Sequence, residues 1–161
     1  MESDGGPRIQ LSLRLPRDRL SVPVIRHMAA DVLVELGADR GDAQDIELAL
    51  AEACANVLTH AGSGDVYDVE LLIGPHNCVL RVVDLGTGFD TGGIGSAMSG
   101  TDAESGRGMG LMHAVMDDVS LTSEPDRGTV VQLVKSLRFG TDSPAQRLLQ
   151  AQAGMSRYPN S

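Results

Sequence analysis

A chain of 161 residues, 42% of them apolar, is long enough for one compact domain with a buried core and little more. Only 2% of the residues are aromatic and none is Trp, so the core must be built from Leu, Val, Ile, Ala and Met, without the stacking platforms that bind single-stranded nucleic acid. A formal charge of −9 opposes a phosphate backbone and excludes direct nucleic-acid binding; proteins, basic ones included, and metal-bound nucleotides are the partners it allows.

The opening MESDGGPRIQ carries neither a basic leader nor an apolar segment behind it, and no stretch approaches the roughly 20 apolar residues of a membrane span. A cytoplasmic protein without membrane contact is expected. Residues 1–7 read as a disordered lead, 8–138 as the folded domain and 139–161 as a polar tail. From Arg8 to Leu15, apolar Ile9, Leu11, Leu13 and Leu15 alternate with Gln10, Ser12 and Arg14, the period of a half-buried strand. Pro16 ends it. From about Arg19 to Leu36, Val24, Met28, Val32 and Leu36 recur at helical spacing, with Ile25 and Ala29 beside them, and Gly37 is a natural stop. A second helix is expected from Gly41-Asp42, with Asp42 as its cap, to about His60.

Two strands follow, Tyr67–Ile73 and Cys78–Asp84, joined by Gly74-Pro-His-Asn77, which has hairpin composition. The stretch from Gly86 to about Gly106 is rich in Gly, Ser and Thr and nearly aperiodic; a loop of that length in a compact domain is usually functional or mobile. A helix over about Met109–Met116 comes next. A closing strand pair, Val119–Thr122 and Thr129–Leu137, flanks Glu124-Pro-Asp-Arg-Gly128. The tail is polar apart from Leu148-Leu149 and reads as a frayed extension with at most one short helix. The two cysteines, Cys54 and Cys78, lie in apolar segments and read as small buried hydrophobes. The order β-α-α-β-β-loop-α-β-β predicts an α/β two-layer sandwich: a mixed, mostly antiparallel sheet with its helices on one face. Strands and helices do not alternate strictly enough for a doubly wound fold.

Three constellations carry chemistry. In the second helix Glu52, Asn56 and His60 stand four residues apart. Each step drifts about 40° around the axis, so the three share one stripe, while Ile46, Ala49, Leu50, Ala53, Val57 and Leu58 can face the sheet. An Asn carbonyl is a hard oxygen suited to Mg²⁺, and a Glu one turn earlier suits a base beside a phosphate; a solvated polar face gives the same pattern. Asp84, closing an apolar strand before Gly86 and Gly88, fits a carboxylate at the floor of a cleft, where it can accept a hydrogen bond from the exocyclic amine of adenine; an ordinary Asp-Gly turn is the plainer alternative. Gly106, Gly108 and Gly110 alternate with Arg107 and Met109 ahead of an apolar helix, leaving amides for phosphate oxygens at the positive end of the helix dipole. A flexible linker has the same composition. No Lys-Ser/Thr follows, so this is not a Walker loop.

Taken in order, the three stretches resemble the N, G1 and G2 boxes of the GHKL ATPases, a superfamily that includes histidine-kinase ATP domains and gyrase-type ATPases and has the Bergerat ATP-binding fold. Ile46–Ala61, IELALAEACANVLTHA, is closer still to the bacterial anti-sigma-factor serine/threonine kinases. The likeness runs from about Arg8 to Leu137. It implies ATP and Mg²⁺ as cofactors, Glu52 as general base and Asn56 as Mg²⁺ ligand. It implies Asp84 as the adenine contact, with Gly86 and Gly88 shaping that wall and Thr129 supporting it. Gly106, Arg107, Gly108, Met109 and Gly110 would form the phosphate cradle, and Thr91–Ser105 the ATP lid. His60 matches a frequent family position and is read as structural.

The chain has no room for the phosphorylated helix pair of a histidine kinase or for the coupling domains of a gyrase. The function implied is therefore that of an anti-sigma factor that binds a sigma factor and phosphorylates a small STAS-type anti-anti-sigma antagonist in a partner switch. Dimerisation through the first strand and helix is implied by the same resemblance. Two alternatives remain open at this stage: a module that binds ATP or ADP without transferring phosphate, and a free-standing ATPase.

Overall fold

The computed structural model describes residues 6–60, 64–84, 103–124 and 128–156. Five strands, β1 (Ile9–Pro16), β2 (Val66–Ile73), β3 (Asn77–Asp84), β4 (Asp118–Glu124) and β5 (Gly128–Ser136), form one sheet in the order β1-β2-β3-β5-β4. Every pairing among them is antiparallel, where a mixed sheet was expected. Four helices accompany it: α1 (Ser21–Glu35), α2 (Arg40–His60), α3 (Ala103–Val115) and α4 (Pro144–Ser156).

The alternation legible in each strand sets the two faces of the sheet. Register aligns Leu11 with Leu71, Leu71 with Leu80, Leu80 with Leu133 and Leu133 with Val119. The next inward row runs Leu13, Val69, Val82, Val131 and Leu121. These rows are buried or half-buried beneath α2, whose Ile46, Ala49, Leu50 and Ala53 are fully enclosed. The opposite face carries a charged and polar ladder instead: Arg14 binds Asp68 at 2.8 Å, and Arg81 reaches Glu70 and donates to Gln132. A sheet with one apolar face needs only one helical layer.

Both cysteines are free and buried, and burial pushes each thiol up to about 12. They are small core residues, as the sequence indicates.

Four details differ from expectation. First, α2 is capped by Asp39, whose Oδ1 accepts from the amides of Gly41 at 2.8 Å and Asp42 at 3.2 Å; Asp42 sits inside the helix, buried, and its carboxylate binds Arg138. Two acidic residues three apart at a helix start are equivalent by composition, and the distant Arg138 donates to both. Second, the stripe of α1 that is enclosed is Ile25, Ala29 and Leu33; Val24 and Met28 are exposed. The helix is apolar on more than one face, so periodicity alone does not select the buried one.

Third, α3 begins at Ala103, ahead of all three cradle glycines, rather than near Met109. Glycine is a poor helix former, and tertiary packing against α2 overrides that propensity. Fourth, the tail forms α4. Ala145 and Leu149 are buried, the Ala145 amide donates to the carbonyl of Leu36, and Gln152 accepts from the amide of Arg8.

The stop at Gly37 is as expected. Gly37 has φ +91°, its amide donates to Val34 and that of Ala38 to Leu33, the paired bonds of a Schellman motif. A Cβ at Gly37 would stand 2.7 Å from the Cβ of Ser143, just ahead of α4. Gly37→Ala is therefore predicted to destabilise the fold by about 1–3 kcal/mol through left-handed strain and this clash. Urea unfolding checks it, and an unchanged midpoint refutes it.

Candidate nucleotide site

The two central inner rows of the sheet are apolar; at one end Lys135 enters the helical layer, and at the other the row turns polar on β3, β5 and β4. There Asp84 of β3 aligns with Thr129 of β5, and Thr129 with Ser123 of β4. All three are buried, and the hydroxyls of Ser123 and Thr129 lie 3.1 Å apart. On the adjoining strand, Tyr67 shares a 2.6 Å hydrogen bond with Ser21 at the start of α1. Burial is the main cause that raises the Tyr67 phenol to about 12. A row of polar groups at the edge of an apolar core needs internal partners, and it has them.

Asp84 is only 1% exposed, and a buried carboxylate requires a compensating charge. Arg17, from the turn between β1 and α1, supplies it: Nη1 donates to Asp84 Oδ2 at 2.6 Å. The other arm of the guanidinium, Nη2, donates to the carbonyl of Val57 at 3.2 Å. Val57 lies in the final turn of α2, where carbonyls lack helical partners and a cation is favoured. One residue earlier on the same turn is Asn56. Arg17 thus ties the end of β3 to the part of α2 that carries the polar stripe.

The stripe meets α3 on its other side. Gly108 is buried, and a Cβ there would stand 2.7 Å from Glu52 Oε2 and 3.9 Å from Asn56 Oδ1. Only a glycine lets the α3 backbone approach these two polar groups so closely. Lys135 fixes the two helices to one another, donating to the carbonyl of Val115 at 2.7 Å in the last turn of α3 and to Asp45 of α2 at 2.9 Å. Glu52 and Asn56 are half-buried, Arg107 is exposed, Met109 is half-buried, and Gly110 is exposed with open space around it.

Glu52 and Asn56 stand against Gly108 of α3, and Asp84, beside Thr129, is joined through Arg17 to the Val57 carbonyl on the turn of α2 that carries Asn56. Gly86, Gly88 and residues 91–102 of the expected lid lie outside the described residues; residues 103–105 open α3. Gly106, Gly108 and Gly110 lie within the helix, not in a loop before it, so the amides without helical partners are those of residues 103–106, in its first turn. The side chain of His60 is outside the described set.

Sequence reasoning missed Arg17 and Ser123. Ser123 was findable, since it shares the inward parity of Val119 and Leu121. Arg17 was not, because its partner is 67 positions away; only the need of inward-facing Asp84 for a cation was legible.

Residues 15–135 match the histidine kinase-like ATPase domain family. The chain belongs to that family. Among curated relatives, it is 27% identical over 139 residues to the serine-protein kinase RsbW of Bacillus cereus, covering 80% of this chain and 86% of that one, and it matches the protein of the same name from Bacillus anthracis to the same extent. The fold is similar to that of the RsbU and RsbW domains of a Mycobacterium tuberculosis protein, with TM-score 0.61 and 21% identity over 81% of this chain; that match spans 33% of the solved chain. It also resembles a chain of the SiaB–SiaC complex from Pseudomonas aeruginosa, with TM-score 0.54 and 19% identity, covering 78% of this chain and 88% of that one.

The two described cradle glycines separate cleanly by environment. Gly110→Ala gains helix propensity and meets nothing within 4 Å, so stabilisation of about 0.5–1 kcal/mol, or about 1–4 °C in Tm, is expected. Gly108→Ala has the same propensity gain but drives its methyl onto the Glu52 carboxylate. Its Tm should fall below that of Gly110→Ala. Thermal unfolding of the pair decides this, and equal or reversed values refute the close approach.

Proposed function

We propose that this chain binds ATP with Mg²⁺ and acts as an anti-sigma factor with serine/threonine kinase activity. In this reading it works in the cytoplasm, binds a sigma factor, and phosphorylates a serine or threonine of a small STAS-type antagonist. The observation that carries the reading is the close approach of α3 at Gly108 to Glu52 and Asn56, with buried Asp84 tied through Arg17 to the same end of α2. Family membership and the name shared by the Bacillus relatives support it.

The residues suit the cofactors. Among the described residues no group of three or more His, Cys, Asp or Glu gathers that could hold a metal ion unaided. Mg²⁺ in phosphoryl-transfer sites needs only one or two protein oxygens, the rest coming from phosphate and water, and the Asn56 amide oxygen meets that need. Bound MgATP supplies the transferable phosphoryl group and the charge that neutralises it. Glu52 takes the proton from the acceptor hydroxyl. Asp84 accepts from the 6-amino group of adenine, with Thr129 holding that wall and Gly86 and Gly88 letting backbone approach the base. Amides around Gly106, with Gly108 and Gly110 giving close access and Arg107 adding charge, hold the phosphates. A phosphate placed on the antagonist weakens its docking through charge and desolvation.

No helix among the described residues is long and apolar enough to cross a membrane, in keeping with the proposed location. The chain is further proposed to form a homodimer through β1 and α1. β1 is an edge strand, and Leu20, Val24 and Met28 of the α1 region are 74%, 53% and 41% exposed at four-residue intervals, an apolar stripe in want of cover. Light scattering at micromolar concentration should report twice the chain mass; a monomer throughout rejects the dimer.

Transfer is tested with γ-labelled ATP and STAS-type proteins from the native host. The expected result is label on a Ser or Thr of one of them, with Glu52→Ala slowing the reaction by about 10²–10⁴-fold while the nucleotide still binds. Nucleotide binding without transfer to any of them would reduce the protein to a nucleotide-set binding module. Undiminished transfer by Glu52→Ala would remove Glu52 as the base.

A further inference from the structure

We infer that Arg17 is a specificity-determining residue, which makes the pocket select a 6-amino purine over a 6-oxo purine by keeping Asp84 a pure hydrogen-bond acceptor. The inference rests on the proposed adenine contact of Asp84 and adds to it the residue that enforces the choice.

The geometry supplies the reason. Asp84 closes an inward row of the sheet at 1% exposure, and Arg17 meets it at 11% exposure and 2.6 Å. Solvent is nearly excluded from both, so the guanidinium provides the charge compensation that water gives a surface carboxylate. Arginine keeps its proton under all ordinary conditions. A carboxylate so paired has lone pairs to offer and no proton to give. It can accept from the 6-amino group of adenine, whereas the 6-oxo group of hypoxanthine or guanine would set acceptor against acceptor. Removing the cation changes the chemistry of the acid. Without the guanidinium the carboxylate stands buried with its counter-charge gone and is no longer held in the orientation that meets a 6-amino group and opposes a 6-oxo group.

Arg17 also fixes where the carboxylate stands. Its second arm on the Val57 carbonyl holds the final turn of α2 to the end of β3, so the acid is tied to the turn that carries Asn56. Arg17 acts on the base through Asp84, and is a positioning residue rather than a catalytic one. Lysine, a cation with rotatable donors on a flexible stem, can replace the charge but not both directed arms.

The test compares ATP with inosine triphosphate, which differs from it only in the 6-position region of the base. Affinities are measured by competition against a fluorescent adenylate in the wild type, Arg17→Met and Arg17→Lys, with circular dichroism confirming each fold. The wild type should favour ATP strongly. Arg17→Met should lose ATP affinity by about tenfold or more while binding inosine triphosphate as well as or better than the wild type, so that the ratio collapses. Arg17→Lys should recover most of the ratio.

A wild-type ratio retained in folded Arg17→Met overturns the inference while leaving the adenine site standing. So does adenylate binding that tightens on losing Arg17, which would mean that the guanidinium occupies the place of the purine. A ratio that Arg17→Lys fails to raise above that of Arg17→Met also counts against it. Wild-type protein that binds neither nucleotide overturns both this inference and the function beneath it.

Discussion

A carboxylate facing inward from an apolar sheet is the constraint around which this molecule is arranged. Asp84 follows the parity of Leu80 and Val82 and so must enter the core, where an unpaired charge is costly. The pairing with Arg17 draws three distant segments to one point: the β1–α1 turn, the end of β3 and the last turn of α2. Well-packed apolar residues in place of a buried ion pair are often no less stable. A buried acid held in this way at the end of an inward row is understandable if it has a ligand to meet.

The second requirement is close approach. α2 lies at the centre of the helical layer, with one side given to the core and a polar stripe left over. α3 is brought onto that stripe at Gly108 and held in place by Lys135, which bridges the last turn of α3 to Asp45. The result is asymmetric in its rigidity. The α2 stripe and the strand ends are anchored by buried packing and charge-assisted hydrogen bonds, while the cradle helix presents glycine where contact is tight and again, at Gly110, where it is not. In the proposed function, the groups that must be held in a fixed geometry stand on the anchored elements.

Much of this was legible in the sequence because it depends on local period. Alternation in β1, β2, β3 and β5 gave the strands and their inner faces, and the four-residue spacing of Glu52 and Asn56 gave their common stripe. Gly37 marked its helix end for a reason confined to a few residues, the left-handed turn. What escaped depends on partners remote in the chain. Arg17 finds Asp84, Arg138 binds both Asp39 and Asp42, and packing on α2 carries α3 back through three glycines. α1 has apolar residues on two faces, and only the placement of α2 determines that Ile25, Ala29 and Leu33 are covered. The tail looked too polar to pack, yet two inward apolar positions, Ala145 and Leu149, with hydrogen bonds from Arg8 and to Leu36, suffice to seat α4.

Calorimetric titration with ADP and ATP, with and without Mg²⁺, probes the pocket most directly. One nucleotide per chain should bind, Mg²⁺ should strengthen ATP, and Asp84→Asn should abolish the heat, because it replaces a charged acceptor with a neutral amide that also presents donors and leaves the Arg17 cation buried without its counter-charge. Absence of heat from either nucleotide under both conditions, or full binding by a folded Asp84→Asn, would contradict the assignment of this polar tract as a nucleotide site.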